Sequence, residues 1–331
     1  MSDLTFWHNL AKPILALAPM ADVTDAPFRH IIARYSKPAA PFVFFTEFTS
    51  ADGLMHPTGH EKLLRELHFT SAEKPIVAQL FSARPDKMYE AAKFVATLGF
   101  DGIDINMGCP DKNIEKQGCG AGLIKNPTLA QELIQAAQEG SGLPVSVKTR
   151  IGYNTIEIDS WLPRLVEAKP TVLTVHLRTR KEMSKVPAHW ELMSEVKKVV
   201  AGSGVLLLGN GDVESVAEAR TKVAQYGIDG VMLGRAIYGN PWLFAEYEPS
   251  IRERLEVLRE HIAIFDDLFG ETETNQKLFK GHTKSFAIMK KHFKAYVGDF
   301  PGAHDLRNQL LETSTAIEAN KCINDYLLNL C

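Results

Sequence analysis

Eight short apolar runs alternate with amphipathic helical patterns up to residue 236, and that alternation leaves few architectures open. The runs cover 14–20, 42–48, 75–81, 102–107, 144–150, 172–178, 204–212 and 230–236. The segments between them include 86–98, 128–139, 160–168 and 213–226, where apolar residues recur at three and four. Near-continuous apolar runs mark strands buried on both faces, and strands separated by helices pair in parallel. Eight such units predict an α/β fold, a closed (β/α)8 TIM barrel, which typically needs about 250 residues. An open doubly wound sheet would carry a G-x-G-x-x-G turn after its first strand. Here that strand ends in Ala18-Pro19-Met20-Ala21, so the fingerprint is absent.

The pattern changes after Gly239-Asn240-Pro241-Trp242. From Ile251 onward only helical periodicity is found, broken at Gly270, Gly281 and 298–302, which predicts a small C-terminal helical domain. Its charge is uneven: Lys277, Lys280, Lys284, Lys290, Lys291 and Lys294 stand against the single acid Asp299 between 275 and 300. Phe279, Phe286, His292, Phe293 and Tyr296 are interleaved with them. Such a mixture suits phosphate neutralisation with some base stacking, and on the residues alone it suits still better a solvated helix face over a core. The net charge of −3 gives no sign of its own for nucleic acid. No apolar run approaches the roughly 20 residues that span a bilayer. The opening Met1-Ser2-Asp3-Leu4-Thr5-Phe6 has no basic segment followed by an apolar core, so a cytoplasmic protein without membrane association is expected. Cys109, Cys119, Cys322 and Cys331 are too few and too scattered for a disulfide framework, and none has a partner at zinc-ligand spacing. Free thiols and no metal are expected.

In barrels the reacting groups sit just beyond the carboxyl ends of the strands. Read that way, the eight runs deliver Pro19 and Met20; Glu47; Gln79; Asn106 and Cys109; Lys148 and Arg150; His176, Arg178 and Arg180; Asn210, Gly211 and Asp212; and Gly234 and Arg235. Cys109 lies between an apolar strand and a chain-breaking proline, a place for chemistry, although a buried cysteine is the commoner fate of the residue. Glycine-rich turns after the seventh and eighth runs suit a phosphate, to which Arg235 can add a charge-assisted contact. Gln79, Lys148 and His176 offer donors to a flat heterocycle. Together these features point to flavin mononucleotide, FMN. A strand-end lysine can also form a Schiff base, as in an aldolase, but that role leaves Cys109, Gln79 and His176 idle. Beside a flavin, Lys148 would stabilise the negative charge of the reduced ring.

The motifs resemble one family, the flavin-dependent tRNA-dihydrouridine synthases. The resemblance rests on residues 18–29, on Asp104-Ile105-Asn106-Met107-Gly108-Cys109-Pro110 with Gly120-Ala121-Gly122-Leu123, on 176–180, on Asn210-Gly211-Asp212 and on Gly234-Arg235, in that order. The tail, with Met289-Lys290-Lys291-His292 and Phe300-Pro301-Gly302-Ala303, resembles the family's RNA-binding domain. The resemblance implies an FMN-binding barrel over 1–245 and a tRNA-binding helical domain over 246–331. It implies a flavin, reduced by NADPH, that passes a hydride to C6 of a uridine while Cys109 protonates C5. Pro19, Met20, Ala21, Gln79, Lys148, His176, Asn210, Gly211, Asp212, Gly234 and Arg235 would line the flavin site. Asn106, Arg178, Lys290, Lys291 and Lys294 would face the RNA substrate, and a monomer is expected.

Two residues depart from the family pattern. Leu177 stands where glycine is common, and Cys119 in the following loop is a candidate second reactive thiol. A dihydroorotate-type dehydrogenase, with cysteine as base, and a non-catalytic RNA-binding barrel are the competing readings. The basic tail speaks against the first, and the intact Cys109 with its ring of polar groups against the second.

Overall fold

A computed structural model describes residues 5–37 and 41–330. The chain forms two compact units: Met1–Pro19, Phe42–Leu67 and Lys74–Gly234 make one, and Met20–Pro41, His68–Glu73 and Arg235–Cys331 the other.

The first unit is a parallel barrel. Its strands are β1 (Ile14–Leu17), β2 (Phe44–Phe45), β3 (Thr49–Ser50), β4 (Ile76–Phe81), β5 (Gly102–Met107), β6 (Val145–Arg150), β7 (Val172–His176), β8 (Leu206–Asn210) and β9 (Gly230–Leu233). They run in the order β1-β9-β8-β7-β6-β5-β4-β2, with β3 also on β4, all parallel. A bridge between Ala16 and Val43 joins the two ends of that order, with Leu17 N donating to Val43 O and Val43 N to Leu15 O, both at 2.9 Å. All eight apolar runs therefore become barrel staves. The run 42–48 differs in being split into β2 and β3. At the break the Thr46 hydroxyl, not a backbone carbonyl, accepts from Gln79 N at 3.0 Å, so a side chain replaces one rung of the ladder. The runs at 172–178 and 204–212 end as strands two residues early, at His176 and Asn210. Asn210, the last residue of β8, sends its side-chain amide across to Met232 O of β9 at 2.7 Å.

The outer helices form for local reasons. Pro127–Ser141 starts on the Asn126 side chain, which accepts from Leu129 N, carries proline in its first turn and stops at Gly142, whose φ of +64° suits glycine. Its apolar face, Ala130, Leu133, Ile134 and Ala137, is buried at the three-and-four spacing expected from the sequence.

In the second unit, Ala26–Tyr35, Ile251–Phe269, Glu273–Phe279, Met289–Tyr296, Ala303–Glu312 and Ala316–Leu328 are helical, with breaks at the expected glycines. Ile251–Phe269 opens on a capping box between Ser250 and Glu253. Arg29, with no exposure, ties the short His68–Glu73 segment to Ala26–Tyr35: its Nε donates to Glu73 Oε2 at 2.7 Å and a terminal nitrogen to His68 O at 2.5 Å. Among the described residues no helix is long and apolar enough to cross a membrane. Cys109, Cys119 and Cys322 are free thiols, and Cys331 lies outside the described residues.

Candidate active site

Register and alternation build the site. On β5 the side chains of Ile103, Ile105 and Met107 point one way and Asp104 and Asn106 the other. Asp104 is level with Gln79 on β4 and Ser146 on β6; Asn106 is level with Lys148, Lys148 with Thr174, Arg150 with His176, and His176 with Asn210. Thr149, on the opposite side of β6, accepts from Trp161 Nε1 of the outer helix Ile158–Glu167 at 3.0 Å. Lys148 and Arg150 therefore face the barrel interior, and the polar set lines it.

Within that set a directed chain of hydrogen bonds runs to the cysteine loop. Ser146 Oγ donates to Asp104 Oδ1 at 2.5 Å and Gln79 Nε2 to Asp104 Oδ2 at 2.6 Å. Asn106 Nδ2 donates to Gln79 Oε1 at 3.0 Å, and Asn106 Oδ1 accepts from Gly108 N at 3.1 Å and Cys109 N at 2.9 Å. The loop is gripped from a second side by Arg150, whose Nε donates to Gly108 O at 2.7 Å while one terminal nitrogen donates to Thr179 O and Met183 O. Gly120, at φ +59°, lets the returning chain close over the loop, since a Cβ there would lie 2.7 Å from Cys109 O.

Cys109 is half-exposed and its thiol is pushed up from its usual value, first by burial, so it stays protonated at neutral pH. Burial lowers Lys148 to about 8, with Arg150 lowering it further and Asp104 opposing. Asp104, with no exposure, is raised by burial to about 6. Cys119 is 2% exposed and pushed to about 12 by burial, so it is a buried, protonated thiol.

On the far strands, an Arg178 terminal nitrogen lies 3.0 Å from His176 Nε2. A guanidinium can only donate, so Nε2 is the acceptor and the imidazole proton sits on Nδ1. Arg178 also donates to Val186 O at 2.6 Å and pairs with Asp212. At 3% exposure it orients His176 and the Asn210-Gly211-Asp212 turn from behind, which is not the open face expected of a substrate contact. Trp190 Nε1 holds Gly211 O at 2.7 Å, and Asn210 Nδ2 donates to Met232 O at 2.7 Å. Gly211 sits at φ +126°, where a Cβ would meet Ala188 at 2.8 Å. Leu177 is fully buried and its N donates to Asn210 O at 3.1 Å. Pro19 follows β1 and is half-buried, and Gly234 follows β9.

Met20, Ala21, Arg235, Lys290, Lys291 and Lys294 belong to the second unit. There Ala21 and Arg235 are exposed, and Met20 N donates to Thr24 Oγ1 at 2.8 Å. On Met289–Tyr296 the period of 3.6 turns Met289, His292, Phe293 and Tyr296 inward. His292, Phe293 and Tyr296, and Phe279 of Glu273–Phe279, are core residues, as the reading of a solvated helix face over a core has it, and are not offered to bases. Lys291 and Lys294 are exposed and Lys290 half-exposed, and Lys291 Nζ pairs with Asp22 at 3.1 Å.

Sequence reasoning missed Asp104 and Ser146 as members of the site. The available signal was two polar residues alternating with Ile103, Ile105, Val145 and Val147 in the apolar halves of their strands. Arg150, read as a strand-end candidate, is a brace for three backbone carbonyls. Among the described residues no cluster of His, Cys, Asp and Glu could hold a metal.

The sequence model described as dihydrouridine synthase (Dus) matches residues 16–330. The chain is 42% identical over 327 residues to the probable tRNA-dihydrouridine synthase of Staphylococcus aureus (strain MRSA252), covering 97% of this chain and 95% of that protein. It is equally 42% identical over 327 residues to the probable tRNA-dihydrouridine synthase 2 of Bacillus subtilis (strain 168), covering 97% and 96%. Among solved structures, histamine dehydrogenase from Rhizobium sp. 4-9 superposes with a TM-score of 0.54 at 14% identity, over 76% of this chain and 48% of that one, a likeness of fold alone.

Proposed function

The chain belongs to the dihydrouridine synthase family, and from that premise we propose that it reduces the C5–C6 bond of uridines in tRNA, with FMN as cofactor and NADPH as reductant. The observation that carries the reading is Cys109: a protonated, half-exposed thiol at the carboxyl end of β5, held by Asn106 and Arg150 on a barrel lined with donors.

The donor set fits a flavin. Lys148 brings a cation and His176 a proton on Nδ1. Thr174, level with Lys148, has a buried hydroxyl with no hydrogen-bond partner among the described residues. Pro19, Lys148, His176, Asn210, Gly211, Asp212 and Gly234 would hold the cofactor, whereas Gln79, with no exposure, is committed to Asp104 and Asn106. Bound there, it supplies a hydride to C6 of the pyrimidine.

The protein's own part is acid catalysis and charge control. Cys109 Sγ–H gives its proton to C5, opposite the face that takes the hydride, and a thiol held above its usual value is protonated when the ring arrives. Lys148, at about 8, is mostly cationic at pH 7 and offsets negative charge that develops in the barrel. Turnover should accordingly fall as pH rises through about 8, because Lys148 then loses its proton. A uridine in folded RNA must leave its stack to reach such a mouth, which calls for a grip on phosphates, and the exposed lysines of Met289–Tyr296 suit that task.

The test is direct. Purified protein, FMN, NADPH and tRNA made without modified bases should yield 5,6-dihydrouridine by nucleoside mass spectrometry. A protein that oxidises NADPH yet leaves every uridine unchanged would overturn the reading.

A further inference from the structure

We infer that Asp104, braced by Ser146, is a positioning residue that sets the amide orientation of Gln79 and Asn106 and through them the backbone that carries Cys109. The inference rests on the reading of Cys109 as the proton donor.

Hydrogen-bond polarity fixes each orientation along this chain. An ionised carboxylate only accepts, so Gln79 must turn its Nε2 toward Asp104, as it does at 2.6 Å. That leaves Gln79 Oε1 facing Asn106, which answers with its Nδ2 at 3.0 Å. Asn106 Oδ1 is thereby aimed at the Gly108 and Cys109 amides, which can only donate. Reversing either side chain would place two donors or two acceptors against each other, a buried mismatch that costs about 1–3 kcal/mol. Both ends of the chain thus demand the same assignment. Ser146 is level with Asp104 on β6 and fills the other carboxylate oxygen at 2.5 Å, so the charge is held from two sides. Asp104 has no exposure, so it acts on chemistry only through neighbours: by its hydrogen bonds along this chain and by its charge on Lys148, and a variant that keeps the accepting oxygen without the charge separates the two.

Two variants separate the accepting oxygen from the charge and from the side chain's branching. Asp104→Leu keeps the branching at Cγ, with bulkier methyls, and removes the acceptor. Its Gly108 and Cys109 amides should exchange at least about tenfold faster, and kcat for dihydrouridine formation should fall roughly 30-fold with KM for tRNA within about twofold, the pattern of a misplaced catalytic group. Asp104→Asn can direct its Oδ1 to Gln79 and its Nδ2 to the Ser146 hydroxyl, so it should keep both exchange rates and kcat within about threefold of the parent. A folded Asp104→Leu with parental exchange and turnover overturns the inference, as does an Asp104→Asn that is as impaired as Asp104→Leu.

Should Asp104→Leu fail to fold, a double-variant cycle decides. Ser146→Ala and Asp104→Asn should each stay near the parent. The double variant, in which the amide introduced by Asp104→Asn has lost the hydroxyl that fixes it, should exchange faster and turn over about tenfold more slowly. A double variant equal to the parent overturns the inference. If the parent itself forms no dihydrouridine, the functional reading fails and amide exchange alone judges the chain.

Discussion

Two buried polar groups divide this molecule, and they follow opposite rules. In the barrel, Asp104, Gln79, Asn106 and Ser146 are joined by hydrogen bonds of 2.5–3.0 Å, each donor matched to an acceptor. In the helical unit, both ring nitrogens of His261, Nε2 of His292 and the hydroxyl of Tyr296 have no hydrogen-bond partner among the described residues. Those rings are packed as aromatics: His261 stacks on Phe28 at 5.1 Å, His292 meets Phe28 edge-on at 4.8 Å, and the two imidazoles lie 4.4 Å apart. The first group fixes directions. The second fills volume, and both histidines are held neutral because burial drives their pKa down, His292 to about 3. A hydrogen-bonded chain with a charge at one end suits a place where a loop must be aimed. Stacked neutral rings suit a core where only shape matters.

The difference can be tested from the chemistry downward. Cys109→Ala removes the proton donor, so dihydrouridine formation should drop about 10²- to 10⁴-fold while tRNA affinity and melting behaviour stay parental. Nucleoside mass spectrometry beside a binding titration checks this, and parental turnover would remove Cys109 from the mechanism.

Next comes the buried carboxylate. Because Asp104 is raised to about 6 against an ordinary value of 3.8, its ionisation penalises the fold above pH 6, and the penalty fades as pH falls through 3.8. Asp104→Asn should therefore stabilise the protein by up to about 3 kcal/mol at pH 7.5 and hardly at all at pH 4, read by denaturant titration at both values.

The histidines should respond to acid in the opposite direction. Their pKa values are depressed in the fold, so the unfolded chain takes up protons first as pH falls through 6.5, and stability present above that value is lost toward pH 3. At pH 5 His292 alone should cost about 2 kcal/mol relative to pH 7.5, with His261 adding in the same direction. The double variant His261→Phe/His292→Phe should flatten that slope, and an unchanged slope would place the acid sensitivity elsewhere.

The smallest effect belongs to the surface. Replacing Lys290, Lys291 and Lys294 with alanine should weaken tRNA binding roughly tenfold at low salt and reduce the slope of log K against log salt by about 2. Lys291 should contribute least, since Asp22 already holds its ammonium at 3.1 Å. An unchanged slope would move the RNA grip off this helix.

Much of this was open to reading from the chain. Apolar runs of strand length revealed all eight staves, because a strand covered on both faces is built mostly from apolar residues and tolerates only the few polar ones that find partners, as Gln79, Asp104 and Ser146 do. The motif around Cys109 was equally legible, as a thiol and a proline just past such a run have little packing purpose. The division of labour inside the motif was not. Asp104 and Asn106 look alike in sequence, two polar residues at alternate positions of one strand, yet one anchors the chain and the other aims the loop. Arg150 and Arg178 looked like open strand-end cations and are buried braces. The tail's aromatics needed their helical phase before Phe293 and Tyr296 could be told from surface residues.

Sequence by itself determined the periodicities: where strands and helices lie, that they alternate as a barrel must, and that a cysteine follows the fourth stave. Those are local properties, set by which side chains can share a face at periods of 2 and 3.6. Only the tertiary structure decided which polar groups meet. Asp104 reaches Gln79 across 25 positions and Ser146 across 42. Which oxygen faces which amide is settled by strand register, a relation between distant segments that no local pattern records.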